Sequence, residues 1–277
     1  SDKTGTKNSV RRTLASGLQP EPDTDPSKTA TDVPTIFVIT PTYARHVQKA
    51  ELTRMDIRTP RDDSIDSKTK TPLVTRFLKN CGVSYTHLNA PTPPDRRPEK
   101  YKSRHKVSRG VNQRNTGLRW LRQHANETKR GVVFFGDDDN TYDLQLFEEM
   151  RHTKTVSAWP VAFVGGVLVE RPLLGEDGKV AKWSSVHKPE RPYPMDMAAF
   201  AINLQLILDH PDAEFSYTVP PGYQESTILQ KVQVPLHDLE IKADQGTKVL
   251  VWHTRSAPLE LASEKKLKVH SNVNIEV

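Results

Sequence analysis

Gly131-Val132-Val133-Phe134-Phe135-Gly136-Asp137-Asp138-Asp139-Asn140 runs from an unbroken apolar segment straight into three adjacent carboxylates. An apolar run of this length, bounded by glycine, predicts a buried strand, and α/β folds bind ligands at the carboxyl ends of such strands. Carboxylates placed there make an all-oxygen site suited to Mn²⁺ or Mg²⁺, metals that commonly hold a diphosphate. If the chain stays extended through the triple, Asp137 and Asp139 point one way and Asp138 the other. Two ligands then face a metal and one faces another group, such as a ribose hydroxyl. The same residues equally suit a solvated turn, or the cap of a helix starting near Tyr142.

Working outward, Thr35-Ile36-Phe37-Val38-Ile39-Thr40 predicts a second strand stopped by Pro41. A helix is expected from Ala44 to Met55, with Ala44, Val47, Leu52 and Met55 on one face. Pro72 opens a short helix ending near Gly82. A strand over 85–88, a Pro- and Arg-rich loop and a helix over 112–124 precede the acidic triple. Beyond it we expect a helix over 142–152, strands within 161–170, helices over 198–209 and 224–232, and a strand from Lys248 to Trp252. Strand and helix alternate in the first half, which predicts a parallel, doubly wound sheet. Residues 1–33 are nearly devoid of apolar side chains and are expected to form a flexible leader or stem.

The chain has 277 residues and a formal charge of +6, with a pI near 9.3 and a mean hydropathy of -0.64. That length holds one large α/β domain or two small ones. The charge favours anionic partners. Lys and Arg are scattered, without a basic helix stripe or an aromatic-basic platform, which excludes a nucleic-acid-binding module. Cys81 is the single cysteine, so no intrachain disulfide forms. No apolar run reaches the roughly 18 residues of a membrane span.

Several longer motifs occur in one order. Pro41-Thr42-Tyr43 is followed by Arg109-Gly110-Val111-Asn112-Gln113-Arg114-Asn115 and by Asp137-Asp138-Asp139-Asn140-Thr141-Tyr142. Trp159-Pro160-Val161 and Arg191-Pro192-Tyr193-Pro194-Met195-Asp196-Met197-Ala198 come next. Gly222-Tyr223-Gln224-Glu225-Ser226 and Val251-Trp252-His253-Thr254-Arg255 complete the series. Over residues 34–277 the chain resembles the animal β-1,3-glucuronyltransferases of the Golgi. The resemblance implies a GT-A type α/β fold: a Rossmann-like, mostly parallel sheet with helices on both faces and a C-terminal acceptor-binding part. It implies a nucleotide-binding half over 34–140 and an acceptor-binding half over 141–277.

The reaction implied is inverting transfer of glucuronic acid from UDP-glucuronate to the 3-hydroxyl of a terminal galactose, on a proteoglycan linkage or a glycoprotein glycan, with Mn²⁺ as cofactor. The resemblance makes Asp139 the metal ligand and turns Asp137 and Asp138 towards the nucleotide sugar and ribose. Pro41, Thr42 and Tyr43 border the uracil. Arg109 and Arg114 bind the donor, a task that suits the guanidinium fork. Arg191 and Asp196 contact the transferred sugar, His253, Thr254 and Arg255 lie at the diphosphate, and Glu170 contacts the acceptor. Glu225 is the general base, which single-displacement inversion needs on the acceptor side. Read alone, these residues have plainer roles. Glu225 suits a helix start, Asp196 a cap for a helix at Ala198, Tyr43 a core position, and the two arginines a solvated helix start. The resemblance further implies a homodimer, and a type II Golgi membrane protein whose lumenal part this is, held by an N-terminal anchor absent from this chain. In a secreted chain Asn126-Glu127-Thr128 is a glycosylation sequon.

One stretch departs from the pattern. Relatives carry an apolar strand ending in Glu-Asp between the first two helices, and its Asp contacts uridine. Here residues 56–71 hold two large apolar residues and read as loop. Asp62, Asp63 and Asp66 are present without an apolar run to place them at a strand end. We therefore expect an irregular, exposed segment, a weakened uridine site, and as the alternative function an impaired homologue that binds galactosides or partners.

Overall fold

The structure, a computed structural model, describes residues 33–276 apart from 56–60, 98–107, 126–129, 255 and 258. Its strands are β1 Thr35–Thr42, β2 Arg61–Ile65, β3 Tyr85–Asn89, β4 Gly131–Phe135, β5 Thr141–Tyr142 and β6 Val156–Ala158. They continue with β7 Val161–Ala162, β8 Val169–Leu174, β9 Val180–Ser184, β10 Phe200–Asn203, β11 Glu240–Ile241 and β12 Val251–Trp252. The helices are α1 Gln48–Arg54, α2 Pro72–Asn80, α3 Val111–His124, α4 Leu144–Arg151, α5 Leu204–Asp209 and α6 Gln224–Lys231.

A seven-stranded sheet runs β11-β6-β10-β4-β1-β2-β3, and all its pairings are parallel except those of β10 with β4 and β6. This is the mostly parallel GT-A arrangement expected. The core lies around β4, where Val132, Val133, Phe134 and Phe135 are fully buried among Ile36, Leu118 and Trp159. Each such side chain gains about 1.5–3 kcal/mol from leaving water. A smaller sheet runs β5-β12-β7-β8-β9; Glu170 lies on its β8, and His253 and Thr254 follow its β12.

The structure corrects the expectation for residues 61–65; residues 56–60 lie outside the described residues, and 66–71 are irregular and largely exposed, as expected. Arg61–Ile65 is a strand, parallel to β1 on one side and β3 on the other. It closes the gap between two strands whose backbone groups would otherwise lack partners, so the ladder and not an apolar pattern specifies it. The Asp66 N–H then donates to the Thr42 carbonyl at 2.8 Å, which puts a carboxylate just past a strand end after all. The leader (1–32) and Asn126 lie outside the described residues.

Other boundaries shift for local reasons. β1 continues through Pro41 to Thr42, and α1 begins at Gln48, not Ala44. The helix expected over 198–209 is a 3-10 turn, then β10, then α5. Phe200, Ala201 and Ile202 are wholly buried between β4 and β6, and an apolar run of that length suits helix and strand alike. The helix expected from 142 starts at Leu144, because Asp143 caps it by accepting from Gln145 N at 2.8 Å. The strands of 161–170 are a hairpin, turned by Phe163, Gly165 and Gly166 at positive φ. The last strand is paired over Val251–Trp252 alone.

Candidate functional site

The acidic triple begins two residues past β4, in a turn and not in extended chain. Its three carboxylates still separate. Asp137 Oδ1 accepts from Arg114 Nη2 at 2.6 Å. Asp138 is buried, with Oδ2 accepting from Thr42 Oγ1 at 2.5 Å and Oδ1 paired to Arg45 Nη2 at 2.7 Å. Burial pushes the Asp138 carboxyl up, against the pull of Arg45 and Thr42. Asp139 is half-buried, and burial together with the charges of Asp137 and Asp138 lifts it to about 6.

Backbone geometry holds this turn in place. The Asp139 carbonyl accepts from Thr254 Oγ1 at 2.7 Å, and Thr254 also meets Thr141 Oγ1 at 3.0 Å. Pairing of β5 with β12 makes that contact possible, since it sets Trp252 opposite Thr141. Arg114 reaches Asp137 because α3 starts on Gly110, at φ 69. A Cβ there would sit 2.5 Å from Arg114 Nη1, which donates to the Arg109 carbonyl at 3.0 Å. Arg109 itself is exposed. Tyr43 is 44% exposed just beyond Pro41 and Thr42.

His253 follows β12 and places Nδ1 3.4 Å from Asp196 Oδ2. The Asp196 carboxylate beside it raises the imidazole against its burial. Asp196 in turn is pushed up by burial, but His253 and the Ala198 N–H outweigh this and leave it below the usual range. Asp196 also caps the 3-10 turn, accepting from Ala198 N at 2.9 Å, so its cap role is present. Glu225 stands in the first turn of α6, its side chain 14% exposed and its Oε2 3.5 Å from Arg191 Nη1. That oxygen is buried without a hydrogen-bond partner among the described residues. Burial first, and the charge of Asp196 second among the raising influences, lift the Glu225 carboxyl to about 7.

Arg191 is buried and spends its guanidinium on the carbonyls of Gly222, His187, Lys188 and Met195. It ties the 187–195 loop to the start of α6. Glu170 is buried near the start of β8, accepts from Ser185 Oγ at 2.7 Å, and is pushed up by burial. Gly165 makes room for it, since a Cβ there would collide with Glu170 Oε1. Arg255 lies outside the described residues.

The structure thus joins Arg114, the acidic triple, Thr254, His253, Asp196, Glu225 and Arg191 into one cluster. It also adds Arg45, Glu51 and Gln48, which the sequence did not single out, and places Asp66, which the sequence named without a strand end. Arg45 pairs with Asp138, Glu51 holds Arg45, and Gln48 holds the Thr42 hydroxyl that meets Asp138. Asp66 accepts from Thr92 N at 2.6 Å and Thr92 Oγ1 at 2.7 Å. Arg45 stands two residues after Tyr43, and that spacing was the available signal. Asp66 was hidden because its strand is polar.

No group of three or more His, Cys, Asp or Glu among the described residues forms a ready-made metal cage. The donor chemistry at Asp139 nevertheless fits a hard divalent cation. Its carboxyl is pushed up by burial and then by two like charges, which a cation would offset, and such ions take one or two carboxylates plus phosphate oxygens and water.

Residues 65–257 match the family model of glycosyltransferase family 43. The chain belongs to that family. Relatives within glycosyltransferase family 43 include galactosylgalactosylxylosylprotein 3-beta-glucuronosyltransferase 1 of Rattus norvegicus, 47% identical over 92% of this chain and 78% of that protein. Type 2 of Mus musculus is 46% identical over 94% and 78%. The Caenorhabditis elegans enzyme of the same name, sqv-8, is 44% identical over 83% and 67%.

Proposed function

We propose that the chain transfers glucuronic acid from UDP-glucuronate to the 3-hydroxyl of a terminal galactose, with inversion. Family membership and the activity named in its relatives support the reaction. The observation that carries the mechanism is the buried Oε2 of Glu225, which has Arg191 3.5 Å away but no hydrogen-bond partner among the described residues, on a carboxyl lifted to about 7. A base with that affinity takes a proton near neutral pH. Glu225 accepts the hydroxyl proton as the galactose oxygen bonds to the anomeric carbon and the bond to the UDP oxygen breaks. Arg114 and Asp137 hold the donor side, and His253, its proton affinity raised by Asp196, stands at the diphosphate. Asp139 would hold Mn²⁺, which when bound supplies positive charge to the departing UDP.

The test is incubation with UDP-glucuronate, Mn²⁺ and galactose-terminated acceptors of the proteoglycan-linkage and N-acetyllactosamine types. A mass gain of one glucuronyl unit is expected, and chelation removes it. Bound UDP without transfer to either acceptor would reject the reaction. The alternative of an impaired binder rested on a missing strand, and β2 removes that ground. The same family reading carries a Golgi-lumen setting, an N-terminal type II anchor upstream and a homodimer. Localisation of the full-length protein and sedimentation test these. No described helix is long and apolar enough to cross a membrane.

A further inference from the structure

One guanidinium touches both walls of the nucleotide end. Arg45 donates from Nε to Glu51 Oε2 at 2.6 Å and from Nη1 to the Tyr43 carbonyl at 3.0 Å. Its Nη2 pairs with Asp138 Oδ1 at 2.7 Å and with Glu51. Its Cζ stands 4.2 Å from the centre of the Tyr43 ring. The side chain is 13% exposed, against 6% for Asp138 and 4% for Glu51. Gln48 Nε2 donates to Thr42 Oγ1 at 2.9 Å, and that hydroxyl donates onward to the second oxygen of Asp138. The links to Asp138 are an ion pair and a hydrogen bond between largely buried side chains.

The network comes from α1 and the loop before it. Arg45 lies in that loop, where Gln48 N donates to its carbonyl at 3.1 Å. Glu51 and Gln48 come from the buried face of α1. At the far end of the helix, Arg54 Nη2 donates to the Asp139 carbonyl. The loop and the helix together therefore grip the acidic turn, Arg45 at the Asp138 side chain and Arg54 at the Asp139 carbonyl. A flexible Asp138 would otherwise sit between two other carboxylates, where like charges drive it apart from the geometry observed.

We propose that Arg45 is a positioning residue for the nucleotide sugar: it fixes the Asp138 carboxylate and the Tyr43 ring in one arrangement, and acts through them. The proposal rests on the donor-binding reading above. Removing a supporting partner of this kind usually costs about 10–100-fold in affinity or activity. Arg45→Met is therefore expected to weaken Mn²⁺-dependent UDP binding at least ~tenfold by calorimetry, and to raise the donor KM while kcat changes little. Arg45→Lys keeps the charge but not the fork and should fall between the two.

A structural role alone would lower Tm and the active fraction, and leave the UDP affinity of the folded protein unchanged. That result, or wild-type affinity in Arg45→Met, overturns the proposal. If Arg45→Met does not fold, Arg45→Lys decides: a several-fold weaker UDP affinity supports positioning, and wild-type affinity overturns it. Wild-type protein that binds UDP but transfers nothing rejects the transferase reading, while the calorimetry still judges Arg45. Wild-type protein that binds no UDP rejects both.

Discussion

β4 and β2 lie on either side of β1, and the two are built from opposite kinds of residue. Gly131–Phe135 is buried throughout. Arg61–Ile65 is Arg-Asp-Asp-Ser-Ile. Both are parallel to β1, and each is also bonded on its other side, β4 to β10 and β2 to β3. The difference shows two ways of placing a carboxylate at a strand end. β4 is held by burial and carries the acidic triple as a rigid platform. β2 is held by its neighbours' backbones and carries Asp66, whose carboxylate is secured by Thr92. Chemistry should therefore be lost on the β4 side, and smaller, local effects should follow on the β2 side.

The largest effect expected is on stability. Phe134 is fully buried, with its ring centre 5.6 Å from Tyr142, 5.9 Å from Trp159 and 6.2 Å from Phe147. Phe134→Ala should cost about 3–5 kcal/mol, the usual range for truncating a core aromatic. Denaturant unfolding measures it. A loss below about 1 kcal/mol would break the comparison, because β4 would then not depend on its core.

Glu225→Gln comes next. It removes the base but keeps size and shape, so UDP affinity should hold while the transfer rate falls at least ~10²-fold. The pH profile of the wild-type protein sharpens this. A carboxyl lifted to about 7 is protonated and idle below that pH. The kcat/KM should therefore rise with pH through about 7 and then level. A profile already flat from pH 5 upward would assign the base elsewhere.

The sequence carried more of the β4 side than of the β2 side, and burial is the reason. Val132 to Phe135 followed by three carboxylates is a contrast that only a buried strand with a polar end produces. Glu225, Asp196 and His253 were named through motif order, since each alone suits a cap or a core position, and Asp196 does act as a cap. Residues 61–65 show no such contrast. Their strand is specified by β1 and β3, partners far away in the chain, so no local pattern announces it. Phe200–Asn203 fails in the reverse sense, being apolar enough for either element until β4 and β6 claim it. Arg45 went unnoticed because it was expected inside a helix, whereas α1 begins three residues later.

Asp66→Ala probes the β2 side. It removes the acceptor for Thr92 N and Thr92 Oγ1. Hydrogen bonds to a charged group are worth about 1.5–3 kcal/mol, and the partial exposure of Asp66 points to the lower end. Tm should fall by a few degrees. An unchanged Tm would mean that Thr92 is anchored through Gln113 instead, whose Nε2 donates to Thr92 Oγ1 at 3.3 Å.

The smallest effect, and the most direct, is hydrogen exchange. Amides in a core strand exchange only when the whole domain opens, whereas those in weakly buried elements exchange by local opening at lower free energy. Residues 132–135 should therefore show protection close to the global limit. Residues 61–65 should show protection that is measurable but clearly weaker, because their N–H groups are in the ladder while their residues are polar. The order matters more than the values. Exchange at 61–65 as fast as in an unfolded chain would dissolve β2 and leave β1 and β3 unbridged. Protection equal to that of β4 would mean that backbone pairing on both sides holds a polar strand as firmly as burial holds an apolar one.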